Sequence, residues 1–131
     1  MSIEIERKFL VVSDEWRRAV VKTVRLEDGL IASAGGRKVR VRIADERATL
    51  TVKGARVGLG RDEFEYEIPC ADARAMIRDH CDGRVLTKVR HVVREGGFTF
   101  EIDVYEGLLA GVVIAEAELN AAITSFKKSF A

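Results

Sequence analysis

Charged and apolar side chains alternate along most of the strand-like segments of this sequence. In the first segment Glu4, Glu6 and Lys8 recur at every second position, with Ile3 and Ile5 between them. Because successive side chains of a strand point to opposite faces, each such segment has one charged face and one apolar face. The chain must therefore fold into a sheet that keeps these two faces apart.

The alternation and the turn residues predict the order of elements. Eight strands are expected, at 3–11, 24–31, 38–43, 48–53, 62–68, 85–93, 98–105 and 111–119. Helices are expected at 14–21 and 71–80, followed by a short tail at 120–131. The predicted fold is α+β and mainly antiparallel β, with two or three short helices. At 131 residues, the chain is expected to form a single domain over 1–131.

The charges are sorted by strand. Six basic residues recur on four segments: Lys8, Arg40, Arg42, Lys53, Lys88 and Arg90. Nine acidic residues recur on the first segment and on three others: Glu4, Glu6, Glu63, Glu65, Glu67, Glu101, Asp103, Glu116 and Glu118. A solvated sheet face is the simpler interpretation. Sorting by sign favours an eight-stranded closed barrel with a charged interior, wide enough for one small ligand.

A cationic wall facing an anionic wall suits a phosphate ligand with a metal ion. Lys and Arg donate charge-assisted hydrogen bonds to phosphate oxygens. Carboxylates supply the oxygen ligands that Mg²⁺ or Mn²⁺ prefers. The six basic and nine acidic residues of the alternating set have a net charge of −3. A polyanion would therefore need one or two divalent ions to bind among them.

Composition excludes several other classes of protein. The net charge is +1, from 22 basic and 21 acidic residues, which gives no overall attraction to nucleic acid or to an anionic membrane. The basic segment at 37–42 could track phosphates, but the neighbouring acidic strands disfavour a nucleic-acid surface. No apolar run could span a membrane and no signal peptide is recognised, so a cytoplasmic location is expected. Cys70 and Cys81 are expected to be reduced thiols, and neither His80 nor His91 is expected in the site.

Seven short motifs appear in an order that resembles a known family. They are Glu4-Ile5-Glu6-Arg7-Lys8, Arg40-Val41-Arg42, Thr51-Val52-Lys53, Glu63-Phe64-Glu65, Lys88-Val89-Arg90, Glu101-Ile102-Asp103 and Glu116-Ala117-Glu118. Together they resemble the CYTH, or triphosphate tunnel metalloenzyme, superfamily. This resemblance implies an eight-stranded antiparallel closed tunnel flanked by helices, which binds a triphosphate through a divalent metal ion.

The resemblance also implies roles for individual residues. The phosphate-binding cations would be Lys8, Arg40, Arg42, Lys53, Lys88 and Arg90. The metal-binding carboxylates would be Glu4, Glu6, Glu116 and Glu118, with Glu63, Glu65, Glu101 and Asp103 holding the metal or its waters, or orienting basic side chains. Glu4, Glu6 and Lys8 would be catalytic, and Glu67 is left as structural.

The implied activity is metal-dependent hydrolysis of inorganic triphosphate or a related triphosphate compound, by a monomer or a homodimer that uses Mg²⁺ or Mn²⁺. Alternatives are a class IV type adenylate cyclase, a thiamine triphosphatase, or a polyphosphate- or nucleotide-binding module without turnover. The sequence departs from the family at Gly29-Leu30-Ile31, where many small members have Gly-Tyr-Leu. It also lacks the longer C-terminal helical region of many relatives.

Overall fold

A computed structural model describes residues 2–118 of the protein, with the backbone alone for residues 2–7 and for Glu118. The eight strands are β1 (Ser2–Leu10), β2 (Val20–Ala34), β3 (Arg37–Ala44), β4 (Arg47–Lys53), β5 (Gly60–Ile68), β6 (Val85–Glu95), β7 (Phe98–Tyr105) and β8 (Val113–Glu118). The helix α1 spans Cys70–His80, and short 3-10 helices span Glu15–Ala19 and Gly107–Leu109. Leu119 and the predicted tail at 120–131 lie outside the described residues.

All eight strands belong to one antiparallel sheet. Its hydrogen-bonded order is β1-β5-β4-β3-β2-β6-β7-β8. β1 pairs with β5 through residues 2–5 and with β8 through residues 6–10, so the order of strands returns to its start. The mainly antiparallel sheet of eight strands predicted from the sequence is confirmed.

Two glycine pairs form two-residue hairpin turns. Gly35 and Gly36, between β2 and β3, have φ values of 60° and 79°, and Gly96 and Gly97, between β6 and β7, have 60° and 80°. A type I′ turn, whose twist matches that of the strands, needs positive φ at both positions, which glycine adopts without steric cost. These turns fix which residues of the paired strands lie opposite each other.

The predicted helix at 14–21 is wrong. A 3-10 helix covers only Glu15–Ala19, and Val20 already begins β2, which has 15 residues and pairs with β6 from Val20 to Gly29. β-branched residues at 20, 21, 23 and 24 favour a strand, and pairing with β6 outweighs the capping signal that suggested a helix. The structure therefore has one α-helix in residues 2–118, not two or three.

The apolar faces of the strands pack into two clusters outside the charged face. One cluster contains Trp16, Val93, Phe100 and Ile102 beneath the first 3-10 helix. The other joins α1 to β2, β3 and β4, and its fully buried members include Val41, Ala73 and Cys81. Burial of these side chains supplies the main stabilising force and leaves the opposite face for charges.

In residues 2–118, no helix has the length and apolar composition needed to cross a bilayer.

Candidate active site

Alternate residues of six strands, together with Lys8 of β1, line one polar cavity of about 240 Å³, called here the central cavity. Its lining is Lys8, Arg40, Arg42, Lys53, Glu63, Glu65, Lys88, Arg90, Glu101, Asp103, Tyr105, Ile114 and Glu116. The structure thus brings together all six predicted phosphate-binding cations and five of the eight predicted metal-binding carboxylates. The side chains of the other three, Glu4, Glu6 and Glu118, lie outside the described part of the structure.

Arg90 and Asp103 form a bidentate pair that lines the cavity. They lie opposite each other on β6 and β7, with Arg90 Nε donating to Asp103 Oδ1 at 2.8 Å and Nη2 donating to Oδ2 at 2.9 Å. Lys88 Nζ lies 2.7 Å from Asp103 Oδ2. Burial alone would raise the pKa of Asp103, but Arg90 and Lys88 hold it below its ordinary value. Asp103 therefore stays ionised and fixes both cations.

Asp28 is a site residue that the sequence analysis missed. It lies opposite Arg42, whose Nε and Nη2 donate to Asp28 Oδ1 at 2.6 Å and to Oδ2 at 2.9 Å. Its carboxylate is also 3.8 Å from Lys88 Nζ. Little in the sequence indicated this role, because the residues two positions before and after Asp28 on the same face of β2 are Leu26 and Leu30. Asp28 is therefore not part of a run of alternating charges.

Among the described side chains, Arg40 has no comparable bidentate partner. Its neighbours in register are Leu30 on β2 and Thr51 on β4, and its buried Nε finds no hydrogen-bond acceptor among the described residues. Burial, and then repulsion from Arg42, lower the pKa of Arg40. A buried N–H donor on a charged guanidinium is costly when it is unsatisfied, and an anion would complete it.

Two carboxylates face each other on neighbouring strands. Glu101 on β7 lies opposite Glu116 on β8, and like charges in that position repel. Arg90 Nη1 lies 3.3 Å from Glu101 and Lys8 Nζ lies 3.7 Å from Glu116. The backbone register sets Glu6 opposite Glu118 in the same part of the sheet.

This donor set fits a divalent ion that shares its ligands with phosphate. Among the described side chains, no three His, Cys, Asp or Glu residues converge as a complete metal-binding group. Mg²⁺ typically takes one or two carboxylates, substrate phosphates and waters instead of a full protein cage. Opposed carboxylates beside phosphate-binding cations match that requirement.

Tyr105 is a second residue that the motifs did not reveal. It lines the central cavity from β7, and its hydroxyl lies 3.4 Å from Lys88 Nζ, while the ammonium lies 5.1 Å from the ring centroid. The strand β2 offers Leu30 where many family members have a tyrosine. The central cavity nevertheless contains a phenol group, which Tyr105 supplies from β7 instead of β2.

The remaining polar candidates do not line the central cavity. Glu67, which was left as structural, makes a bidentate pair with the exposed Arg47 at 3.1 and 3.0 Å. His91 packs against Trp16 with ring centroids 5.1 Å apart. Cys70 and Cys81 are free thiols, as expected.

Comparison with known proteins agrees with this geometry. Residues 2–129 match the CYTH domain family. The chain is 39% identical, over 98% of its length and 81% of the relative, to a protein of Acetivibrio thermocellus named inorganic triphosphatase.

Two solved structures share the fold. One, described as the inorganic triphosphatase NE1496, has a TM-score of 0.65 and 25% identity over 94% of this chain and 78% of its own. A protein from Pyrococcus horikoshii OT3 has a TM-score of 0.68 at 21% identity, with 90% and 79% of the two chains covered. The family match spans nearly the whole sequence and every strand of the charged cavity, and this chain belongs to the CYTH domain family.

Proposed function

We propose that this protein is a divalent-metal-dependent inorganic triphosphatase, whose eight strands enclose the substrate in a tunnel. The observation that carries the proposal is the central cavity, in which six cations face five carboxylates. A relative 39% identical to this chain is named inorganic triphosphatase. Phosphoryl transfer needs mainly positioning and charge neutralisation from a protein, and such a cavity supplies both.

The six cations would bind and orient the phosphates. Arg40 carries a buried, unsatisfied Nε that a phosphate oxygen would complete. Arg42 and Arg90 are held by Asp28 and Asp103, so their free N–H groups keep fixed directions. A pre-oriented guanidinium loses little entropy when it binds a phosphate.

Glu101 and Glu116 are the described carboxylates best placed to hold a metal ion, because they lie opposite each other. Glu4, Glu6 and Glu118 would complete the ligands, with Glu63 and Glu65 holding its waters. Asp103 is committed to Arg90 and Lys88 and would orient them. When bound, Mg²⁺ or Mn²⁺ would neutralise phosphate charge and polarise the transferred phosphoryl group.

Lys8 would stabilise the charge that develops on the reacting phosphate. It lies opposite Glu116 in register, next to the expected metal ligands. Glu4 and Glu6 share its strand and its face by alternation. These three residues are the proposed catalytic group, in which the carboxylates hold the metal ion and the ammonium binds the phosphoryl oxygens.

Phosphate release from tripolyphosphate, ATP and thiamine triphosphate, each with and without Mg²⁺ or Mn²⁺, tests the proposal. The expected result is metal-dependent release that is fastest with tripolyphosphate, because Tyr105 is the only aromatic ring in the described lining and Lys88 already lies over it, which leaves no pair of rings to clamp a base or thiamine. Tight binding without metal-dependent release from any substrate would show instead that the protein is a binding module.

A further inference from the structure

Tyr105 continues the polar inner face of β7 to the end of that strand. Glu101, Asp103 and Tyr105 occupy alternate positions, and all three line the central cavity. The backbone N–H of Tyr105 donates to the carbonyl oxygen of Val112 at 3.1 Å, which fixes the main chain at this point. The half-buried phenol therefore has a defined place in the lining of the cavity.

The phenol oxygen of Tyr105 accepts a hydrogen bond from Lys88. The two residues lie opposite each other in register, and Lys88 Nζ lies 3.4 Å from the hydroxyl and 5.1 Å from the ring centroid. An ammonium group has donors only, so the hydrogen of this bond belongs to Lys88 and the hydroxyl keeps its own. The same ammonium lies 2.7 Å from Asp103 Oδ2, so Asp103 holds Lys88 more closely than Tyr105 does.

The hydrogen of the Tyr105 hydroxyl is left for a ligand. Within residues 8–117, Lys88 is the one side chain that forms a hydrogen bond with this hydroxyl, and it acts as the donor. The nearby carboxylate of Asp103 accepts from Arg90 and contacts Lys88 instead. A hydroxyl that lines a polar cavity with its own hydrogen unused can donate to an anion bound there.

Tyr105 lies away from the carboxylates that are proposed to hold the metal ion. Four residues of extended strand separate it from Glu101, which is about 13 Å between the two Cα atoms. Glu116 lies opposite Glu101, and Lys8 lies opposite Glu116. The metal ion and the reacting phosphoryl group would therefore lie toward one end of the central cavity, and the Tyr105 hydroxyl toward the other.

We propose that Tyr105 is a substrate-binding residue, whose hydroxyl donates a hydrogen bond to the phosphate that lies farthest from the metal ion. This inference rests on the proposed function. Because Lys88 donates to the phenol oxygen, the O–H group is polarised and becomes a stronger donor. The bond forms when the substrate binds and persists during cleavage, so it strengthens binding without accelerating the reaction of the bound complex.

The test compares the full-length wild-type chain with Tyr105→Phe, which keeps the aromatic ring beside Lys88 and removes only the hydroxyl. Tyr66→Phe is the matched control, because Tyr66 is 62% exposed and does not line the central cavity. KM and kcat are measured with tripolyphosphate at saturating Mg²⁺. Calorimetric titration with imidotriphosphate, in which NH groups replace the bridging oxygens, measures binding independently of turnover. Thermal unfolding without ligand checks that each variant is folded.

Tyr105→Phe is expected to raise KM for tripolyphosphate and Kd for imidotriphosphate about tenfold, because a hydrogen bond to a charged group is lost. Its kcat should stay within about twofold of the wild-type value, and Tyr66→Phe should match the wild type in every quantity. Unchanged KM and Kd in Tyr105→Phe would overturn the inference. So would a lower kcat at unchanged KM, because the hydroxyl would then act on the reacting phosphoryl group.

A double variant separates direct contact with phosphate from an effect that passes through Lys88. In a Lys88→Met background, Tyr105→Phe should still weaken binding of imidotriphosphate. Loss of the effect in that background would show that Tyr105 only positions Lys88, and would overturn the inference. A wild type that binds imidotriphosphate but releases no phosphate from tripolyphosphate would contradict the proposed function alone, since the comparison of Kd values still decides the role of Tyr105. Absence of imidotriphosphate binding by the wild type would overturn both.

Discussion

Asp28 and Arg42 join β2 to β3 through two hydrogen bonds, at 2.6 and 2.9 Å, and both side chains are largely buried, with 11% and 15% of their surface exposed. The pair connects the strand with the weakest sequence signal to the strand with the clearest one. It also sets the direction of a guanidinium in the central cavity. Removing its charge should therefore affect both stability and phosphate binding.

Asp28→Asn is expected to lower the free energy of unfolding by about 2 kcal/mol, because a charge-assisted bidentate pair becomes a weaker hydrogen bond. Urea denaturation at pH 7 measures this change. Glu67→Gln is the matched control, since Glu67 makes the same bidentate contact with Arg47 on the exposed surface and should change stability little. Equal effects of the two substitutions would show that burial does not strengthen the inner pair.

We also expect Asp28→Asn to change how the thermal stability of the protein depends on pH. Burial alone would raise the pKa of Asp28, but Arg42 holds it below its ordinary value. A carboxyl with a lowered pKa stabilises the fold above its unfolded pKa of about 3.9, and the contribution is lost as pH falls through the folded value. Between pH 7 and pH 3, the Tm of the wild type should fall further than that of Asp28→Asn. Parallel pH profiles would contradict this assignment.

Arg40→Met is expected to stabilise the protein by about 1 kcal/mol in the absence of anions, because it removes a partly buried cation that is disfavoured by loss of solvent and then by repulsion from Arg42. The same change should raise KM for tripolyphosphate, since the unsatisfied Nε is lost. Thermal unfolding with and without tripolyphosphate separates the effects: the ligand should raise the Tm of the wild type more than that of the variant. Arg37→Gln, at an exposed position, should alter neither quantity. A less stable Arg40→Met would mean that Arg40 is satisfied within the fold.

Glu116→Gln is expected to raise the metal concentration needed for half-maximal activity at least about tenfold, while the Tm without metal stays close to that of the wild type. The amide keeps the shape of the side chain but removes the charge opposite Glu101. Activity is titrated against Mg²⁺ and Mn²⁺, with the exposed Glu46→Gln as control. Wild-type metal dependence in Glu116→Gln would exclude this carboxylate as a ligand.

Gly29→Ala is expected to destabilise the protein by about 1–3 kcal/mol through overpacking. A Cβ at this position would lie 2.6 Å from Cys81 Sγ, 3.1 Å from Ile77 Cγ1 and 3.2 Å from Val41 Cγ1. Adding Cys81→Ala to the variant removes the closest clash and should recover part of the loss in chemical denaturation. A double variant no more stable than Gly29→Ala would place the strain at Val41 and Ile77 instead.

Several strands could be predicted because they carry two charged residues of the same sign, two positions apart, on one face. Arg40 with Arg42, or Glu101 with Asp103, marks a strand without any tertiary information. β2 could be predicted only in part, because Asp28 and Gly29 interrupt its apolar pattern and pairing with β6 extends it to Val20. The local sequence pattern does not indicate that β2 pairs with β6, and so it could not predict where β2 begins.

Most of the residues that line the central cavity could be predicted from sequence, but Tyr105 and the pairing of carboxylates with cations could not. Which carboxylate holds which cation depends on the register of neighbouring strands, and register follows from turns and packing. Asp103 was predicted either to hold the metal or its waters or to orient basic side chains, and in the structure it contacts Arg90 and Lys88. Tyr105 also emerges only from register, because it lies opposite Lys88 on β7.

Lys8, Arg40, Lys53 and Lys88 line the central cavity and also a neighbouring cavity of about 280 Å³, so an anion in either cavity uses donors that the other also needs. Occupancy of the two cavities is therefore coupled. Orthophosphate and pyrophosphate, the products of triphosphate cleavage, would act as competitive inhibitors even when seated outside the central cavity. Phosphate or sulfate buffers would then mask activity in the assays that test it.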